Sequence, residues 1–368
     1  MKRKLIVALI VLAGGALLIV PLIQSNPPAD KESPISFDTP GSGNIMTAVD
    51  RQIDVKINVD SKDSRVVEMT FSSGDNVLGS WKNPKKSVVA TLIAENLGMG
   101  DHQLVCRATD SDGDEFTERI ILRVVSDITP DQYGARILTP FPHTTTSFTQ
   151  GLEFYQGRLF EGTGDPNNAG KTWVGEVDLA TGTRKENFVG LSQPYFGEGI
   201  TILNDKLYQI TWTNGKCFVY DVNKLGPGSP VILKEFGYVG QGWGLCNDGT
   251  YLIMSNGSGR LYFRDPENFA VIRTLDVFSN RGPVLNLNEL EYIDGLIYAN
   301  IWQQNALVMI DPATGKVVGQ IDATEVVAQG RGIAGDVLNG IAHNRETGQT
   351  YMTGKYYNKL FEVEFVKR

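Results

Sequence analysis

The sequence predicts an all-β protein: a five-bladed β-propeller behind a small β-sandwich, with a hydrophobic segment at the amino terminus. Three observations carry this prediction. A pattern of four short strand-like runs recurs five times at spacings of 45 to 51 residues, which is the period of propeller blades. Forty glycines and thirteen tyrosines, with few long apolar helical stretches, supply turn and strand formers. Ahead of the repeats, residues 35–127 alternate polar and apolar side chains with period two.

The first element is an address. Leu5 to Ile23 is a 19-residue apolar run behind Lys2, Arg3 and Lys4. As a helix rising 1.5 Å per residue it would extend ~28 Å, close to the hydrocarbon thickness of a bilayer. A cleaved signal has a shorter apolar core of ~7–15 residues and a small-x-small cleavage site. Residues 1–25 therefore read as a membrane anchor rather than a cleaved signal, with the basic residues inside and the bulk of the chain outside. Residues 26–34, with Pro27, Pro28 and Pro34, read as a linker. Both readings make the protein exported, on the periplasmic or extracellular side.

Residues 35–127 come next. The runs 52–59 (QIDVKINV), 103–109 (QLVCRAT) and 118–125 (ERIILRVV) alternate as half-buried strands do, and Asp110 to Asp114 forms the turn between the last two. The stretch from Leu97 to Leu104, followed by Ala108 to Gly113, resembles the end of many extracellular immunoglobulin-like modules. Asp110, Asp112 and Asp114 suggest calcium, but Glu115 stands where a calcium loop needs glycine, so the trio reads as a hairpin turn.

The repeats fill residues 134–368. The five copies start at Gln150, Glu198, Trp243, Asn288 and Asn339, each just ahead of a first strand. Each is followed by a turn, and then by a second strand led by Phe160, Tyr208, Tyr251, Tyr298 or Tyr351. Third strands follow, such as 217–220 and 306–310, and then Asp-x-x-Thr-Gly turns, such as 178–182 and 311–315. The fifth copy lacks a fourth strand. Ala135 to Thr139 is a spare strand ahead of the first copy, and pairing it with Leu360 to Phe365 removes an exposed edge.

Composition narrows the function. At 41% hydrophobic and 21% charged, the chain is globular. The net charge is −8, and no basic run follows Lys4, so the electrostatic footprint of a nucleic-acid binder is missing. Cys106, Cys217 and Cys246 form no disulfide framework and read as separate thiols, with pairing of Cys217 and Cys246 left open. His102, His143 and His343 have no zinc-ligand spacing.

In a propeller, the residue before each first strand and the residue ending each second strand gather at one mouth of the channel. The first set is Gln150, Glu198, Trp243, Asn288 and Asn339; the second is Gly164, Trp212, Ser255, Trp302 and Lys355. One carboxylate and one ammonium among amides and tryptophans suit a small reactive pocket.

The segments 148–152 (FTQGL), 196–200 (FGEGI), 242–245 (GWGL) with 252–255 (LIMS), 287–291 (LNELE), 298–302 (YANIW), and 338–341 (LNGI) with 353–355 (TGK) resemble the plant and bacterial type of glutaminyl-peptide cyclotransferase. The resemblance covers about 148–365 and implies a five-bladed propeller that converts an amino-terminal glutamine into pyroglutamate with loss of ammonia, without a cofactor. The substrate would be a peptide or protein. The resemblance casts Glu198 as proton shuttle, Gln150 and Asn288 as polar anchors, and Lys355 as electrostatic support. It makes Phe148, Phe196, Trp212, Trp243 and Trp302 the apolar walls. Two departures, Tyr357-Asn358 in place of Trp-Pro and Asn256 in place of Asp, are expected to alter the pocket rim.

Two other readings compete. A metal-dependent propeller lactonase would use Glu198, Asn288 and Asn339 as oxygen ligands, though divalent-cation sites favour more than one carboxylate. A non-catalytic exported module would hold a peptide or sugar at the tryptophan-lined mouth.

Overall fold

The computed structural model describes residues 31–39, 43–60, 65–167, 172–226 and 232–368. The apolar run Leu5 to Ile23 lies outside the described residues, and among those described no helix is long and apolar enough to cross a membrane. The structure is all-β, with one seven-residue α-helix, Thr324–Gly330, among the described residues.

The amino-terminal part holds two sheets. Ile35–Phe37, Gln52–Val59 and Val88–Ile93 form one. The other runs Asn44–Ala48, Glu115–Val125, Gly100–Asp110, Val66–Ser73 and Asn76–Lys82 in spatial order. Their facing side chains, including Val55, Ile57, Met69, Phe71, Leu104 and Leu122, share one buried core, as the period-two pattern requires. The hairpin Gly100–Asp110/Glu115–Val125 matches the sequence reading. At its turn, Asp110 Oδ1 accepts from the backbone N–H groups of Asp112 and Asp114. The Lys31 ammonium lies 3.1, 2.8 and 2.6 Å from the carboxylates of Asp110, Asp112 and Asp114. A lysine therefore occupies the centre of the acidic trio.

From residue 131 onward, five four-stranded antiparallel units follow. Three are separate sheets of consecutive strands, beginning at Thr149–Tyr155, Gly197–Leu203 and Leu245–Asn247. The last two begin at Leu287–Ile293 and Leu338–Asn344 and merge into one eight-stranded sheet. The merging strand is Asp131–Pro142. It pairs antiparallel with Lys359–Lys367, including Ala135 with Phe365, and so supplies the missing fourth strand of the last unit. It also pairs in parallel with Val317–Asp322 of the preceding unit, which the sequence did not suggest. The first strands of the five units touch in cyclic order. They are almost wholly buried, while fourth strands such as Thr183–Gly190 and Ile232–Gly237 are largely exposed.

Close approach at the centre requires glycine. A Cβ at Gly151 would lie 2.6 Å from the Ile200 nitrogen, and one at Gly199 would lie 2.4 Å from that of Leu245. The corresponding position in the fourth unit is Glu289, whose carboxylate accepts from the N–H groups of Leu152 (3.3 Å) and Ile341 (2.8 Å). Where glycine lets two strands meet, this side chain ties three units together instead.

The two parts meet beside the short ribbon Phe278–Ser279/Gly282–Pro283. There the Ser126 N–H donates to Ser279 (3.2 Å), and Lys316 pairs with Asp127 at 2.7 Å. Cys106, Cys217 and Cys246 are free and buried.

Candidate active site

Gln150, Glu198, Asn288 and Asn339 lie inside the first strands, near their starts, rather than ahead of them, whereas Trp243 precedes its strand as expected. The ladder skips at Gln150, at Glu198-Gly199, at Asn288-Glu289 and at Asn339-Gly340. These β-bulges interrupt strand pairing and re-aim the side chains they carry. They turn Gln150, Glu198 and Asn288 into a cavity of about 400 Å³, with Lys355 at the end of the last unit's second strand. Phe148, Phe196, Trp212, Trp243 and Trp302 complete its walls. All nine residues proposed from the sequence thus meet in one place.

The polar groups are ordered by a relay of amides. Asn339 Nδ2 donates to the Thr149 carbonyl (3.0 Å) and to Gln150 Oε1 (3.2 Å). That fixes the Gln150 carboxamide so that its Nε2 donates to Glu198 Oε1 at 2.9 Å. Asn339 therefore stands behind Gln150 and does not line the cavity. Ser255 is also a support: its hydroxyl accepts from the Gly244 N–H and donates to the Asn288 carbonyl, both at 2.7 Å. Among the described residues no hydrogen bond engages the Asn288 carboxamide, and the Lys355 ammonium contacts the Phe148 ring, 4.6 Å from its centroid. Both groups keep their donors for whatever fills the cavity.

Burial pushes the Glu198 carboxyl well above the usual carboxylate range, and the Lys355 ammonium pulls it partly back. Burial lowers the Lys355 pKa in turn, opposed by Glu198 and Asp336. In each group burial disfavours the charged form and the opposite charge favours it, the kind of opposed perturbation that acid–base sites use.

The aromatic wall is built edge to face. Phe148 meets Phe196 at 6.1 Å, Phe196 meets Trp212 at 5.6 Å, and Trp243 meets Trp302 at 5.5 Å. The sequence reading missed Gln241, whose Oε1 accepts from the indole N–H groups of both Trp212 (2.9 Å) and Trp243 (2.8 Å). It also missed Asp165 and Asp336, which line the cavity, so Glu198 is not its sole carboxylate. All three lie in loops, outside the repeated positions. Neither departure from the family pattern lines the cavity. Tyr357 is fully buried, Asn358 is exposed, and Asn256 folds onto Ser258 and Tyr262.

This site and ring carry the decisive comparison: the family model described as glutamine cyclotransferase matches residues 117–365, more than half of the chain. The chain belongs to the glutamine cyclotransferase family. It is 38% identical to a glutaminyl-peptide cyclotransferase of Arabidopsis thaliana over 235 residues, covering 62% of this chain and 70% of the relative. A crystal structure of Myxococcus xanthus glutaminyl cyclase superposes with a TM-score of 0.58 at 37% identity. It covers 65% of this chain and 99% of its own. Every cavity residue named above falls inside the span matched by the family.

Proposed function

We propose that the protein is a glutaminyl-peptide cyclotransferase, a metal-independent acid–base catalyst that converts an amino-terminal glutamine into pyroglutamate and ammonia. The observation that carries this reading is the aromatic-walled cavity in which a buried carboxylate with a raised pKa faces unspent amide and ammonium donors. The neutral α-amine of the substrate attacks its own γ-carboxamide carbon, forming a five-membered ring and a tetrahedral oxyanion. Glu198 takes the proton that the attacking nitrogen sheds. It then returns that proton to the departing nitrogen as the carbon–nitrogen bond breaks and ammonia leaves, a service worth ~10²–10⁴-fold. Lys355 and Asn288 stabilise the oxyanion. The aromatic walls hold the glutamine folded and exclude water.

In the same reading, residues 134–368 are a five-bladed β-propeller and residues 35–127 an immunoglobulin-like spacer. The cyclic contact of five four-stranded units and the shared core of the first two sheets support this division. Export and anchoring by residues 1–25 rest on the apolar run behind three basic residues. Ammonia release from Gln-Ala, measured before and after prolonged chelation, tests the function. Turnover unaffected by chelation is expected; ammonia release lost on chelation and restored by calcium would overturn metal independence, calcium-dependent lactone hydrolysis without ammonia would favour the lactonase, and binding without ammonia the non-catalytic module.

A further inference from the structure

Beside the catalytic cavity lies a second one of about 300 Å³. The two share Asp165 as a common wall, and Thr145, Thr146, Gly164, Asn167, Ala334 and Tyr356 complete the lining of the second. The partition between them is an aromatic pair. The Tyr356 ring packs on Phe148 at 5.1 Å, while Phe148 carries the Lys355 ammonium over its ring on the catalytic side. Tyr356 holds this place in the left-handed region at φ 59°, an uncommon conformation for a bulky residue, secured by its N–H donating to the Ser147 carbonyl at 2.8 Å.

Two carboxylates stand near this partition, Asp165 lining both cavities and Asp336 the first. Asp165 is buried, and Asp336 is held on the rim by its N–H donating to the Lys355 carbonyl at 2.8 Å. Both charges act on the Tyr356 hydroxyl, adding to burial in keeping it protonated. The nearby Arg331 guanidinium is turned to its own loop, donating to the Gly335 carbonyl at 3.0 Å.

A glutamine folded for cyclisation places its α-amine and γ-carboxamide together, so its α-carbonyl and the chain beyond must leave the first cavity. We propose that the second cavity receives the residue following the amino-terminal glutamine, and that Asp165 and Asp336 make it favour a cationic side chain over an anionic one. Hydroxyl, amide and phenol groups suit a polar side chain, and the two carboxylates set the sign of charge. This inference rests on the cyclotransferase reading and assigns the substrate class within it.

The test compares kcat/KM for Gln-Lys-Ala, Gln-Ala-Ala and Gln-Glu-Ala at low salt. The lysine peptide should exceed the glutamate peptide by about five- to tenfold, a ratio that shrinks when salt screens the charges. Asp336→Asn, at an exposed position, should lower that ratio, and Asp165→Asn in the same chain should bring it within about twofold. Equal rates for the lysine and glutamate peptides, alongside efficient cyclisation of Gln-Ala-Ala, would overturn the subsite and leave the cyclotransferase reading intact. A ratio that survives both substitutions would also overturn it. No ammonia from any peptide would overturn both.

Discussion

Glu198 and Glu289 both lie in bulges of first strands and are both buried, Glu198 at the first bulge position and Glu289 at the second, yet they are fitted for different work. Glu289 spends its oxygens on the backbone N–H groups of two other units and has glycine as its counterpart at Gly199. Glu198 receives one bond, from Gln150, and presents the rest of its carboxyl to a cavity shared with an ammonium. Burial raises the pKa of both. A perturbed pKa therefore does not separate a reactive carboxyl from a structural one; unspent hydrogen-bonding capacity beside an open space does. Glu153, further along its strand, falls on the structural side: burial lifts it to about 7, and Thr201 Oγ1 donates to it at 2.7 Å.

Substitutions can break or sharpen this contrast. Glu198→Gln keeps shape and hydrogen bonding but removes basicity, so turnover of Gln-Ala should fall ~10²–10⁴-fold with little change in KM. Glu289→Ala should instead orphan two buried N–H groups and cost ~2–4 kcal/mol of stability, read from urea unfolding. Lys355→Met should lower turnover about 10- to 100-fold. Because the ammonium pulls the Glu198 pKa down, its loss should also move the acid limb of kcat/KM to higher pH; an unmoved limb would uncouple the two groups.

A smaller effect concerns the loop carrying Phe148. Burial disfavours the imidazolium of His143, yet the Glu161 carboxylate at 3.2 Å and the Tyr357 carbonyl overcome it and raise the pKa. A raised folded-state pKa stabilises the protein fully below the unfolded value of ~6.5, and that contribution is lost as pH climbs through the folded value. His143→Gln should flatten the decline in thermal midpoint above about pH 6.5 and cost about 1 kcal/mol below it. The smallest effect is expected from a chain beginning at Asp131, which keeps the strand that completes the ring. Its kcat/KM on Gln-Ala should stay within about twofold of the full chain, since the site lies wholly beyond that residue.

The repeat period, the hairpin after Gly100, the spare strand and seven of the nine proposed site residues were legible in the sequence, because each obeys a period that the chain spells out locally; Phe148 and Phe196 came from the family resemblance alone. What escaped notice lies where periodicity stops. Asp165, Gln241 and Asp336 sit in loops whose lengths differ between copies, so aligning the repeats does not bring them together. The bulges were invisible because the first strands are buried on both faces and carry no polar–apolar alternation for an extra residue to break. Glu289 was quoted in the family pattern, but its bonds to Leu152 and Ile341 join residues far apart in the chain. The parallel pairing of Asp131–Pro142 with Val317–Asp322 likewise depends on the merging of two units, which no local pattern encodes.

The measurement closest to the central claim takes Glu198→Gln and Glu289→Ala through the same two assays, ammonia release from Gln-Ala per folded molecule and thermal midpoint. The account predicts a crossover. Glu198→Gln loses turnover and keeps its midpoint within a few degrees, whereas Glu289→Ala loses midpoint and keeps its turnover within a few-fold. Cyclisation by Glu198→Gln within a few-fold of the unsubstituted protein would contradict the account, because the cavity's buried glutamate would then not carry the proton.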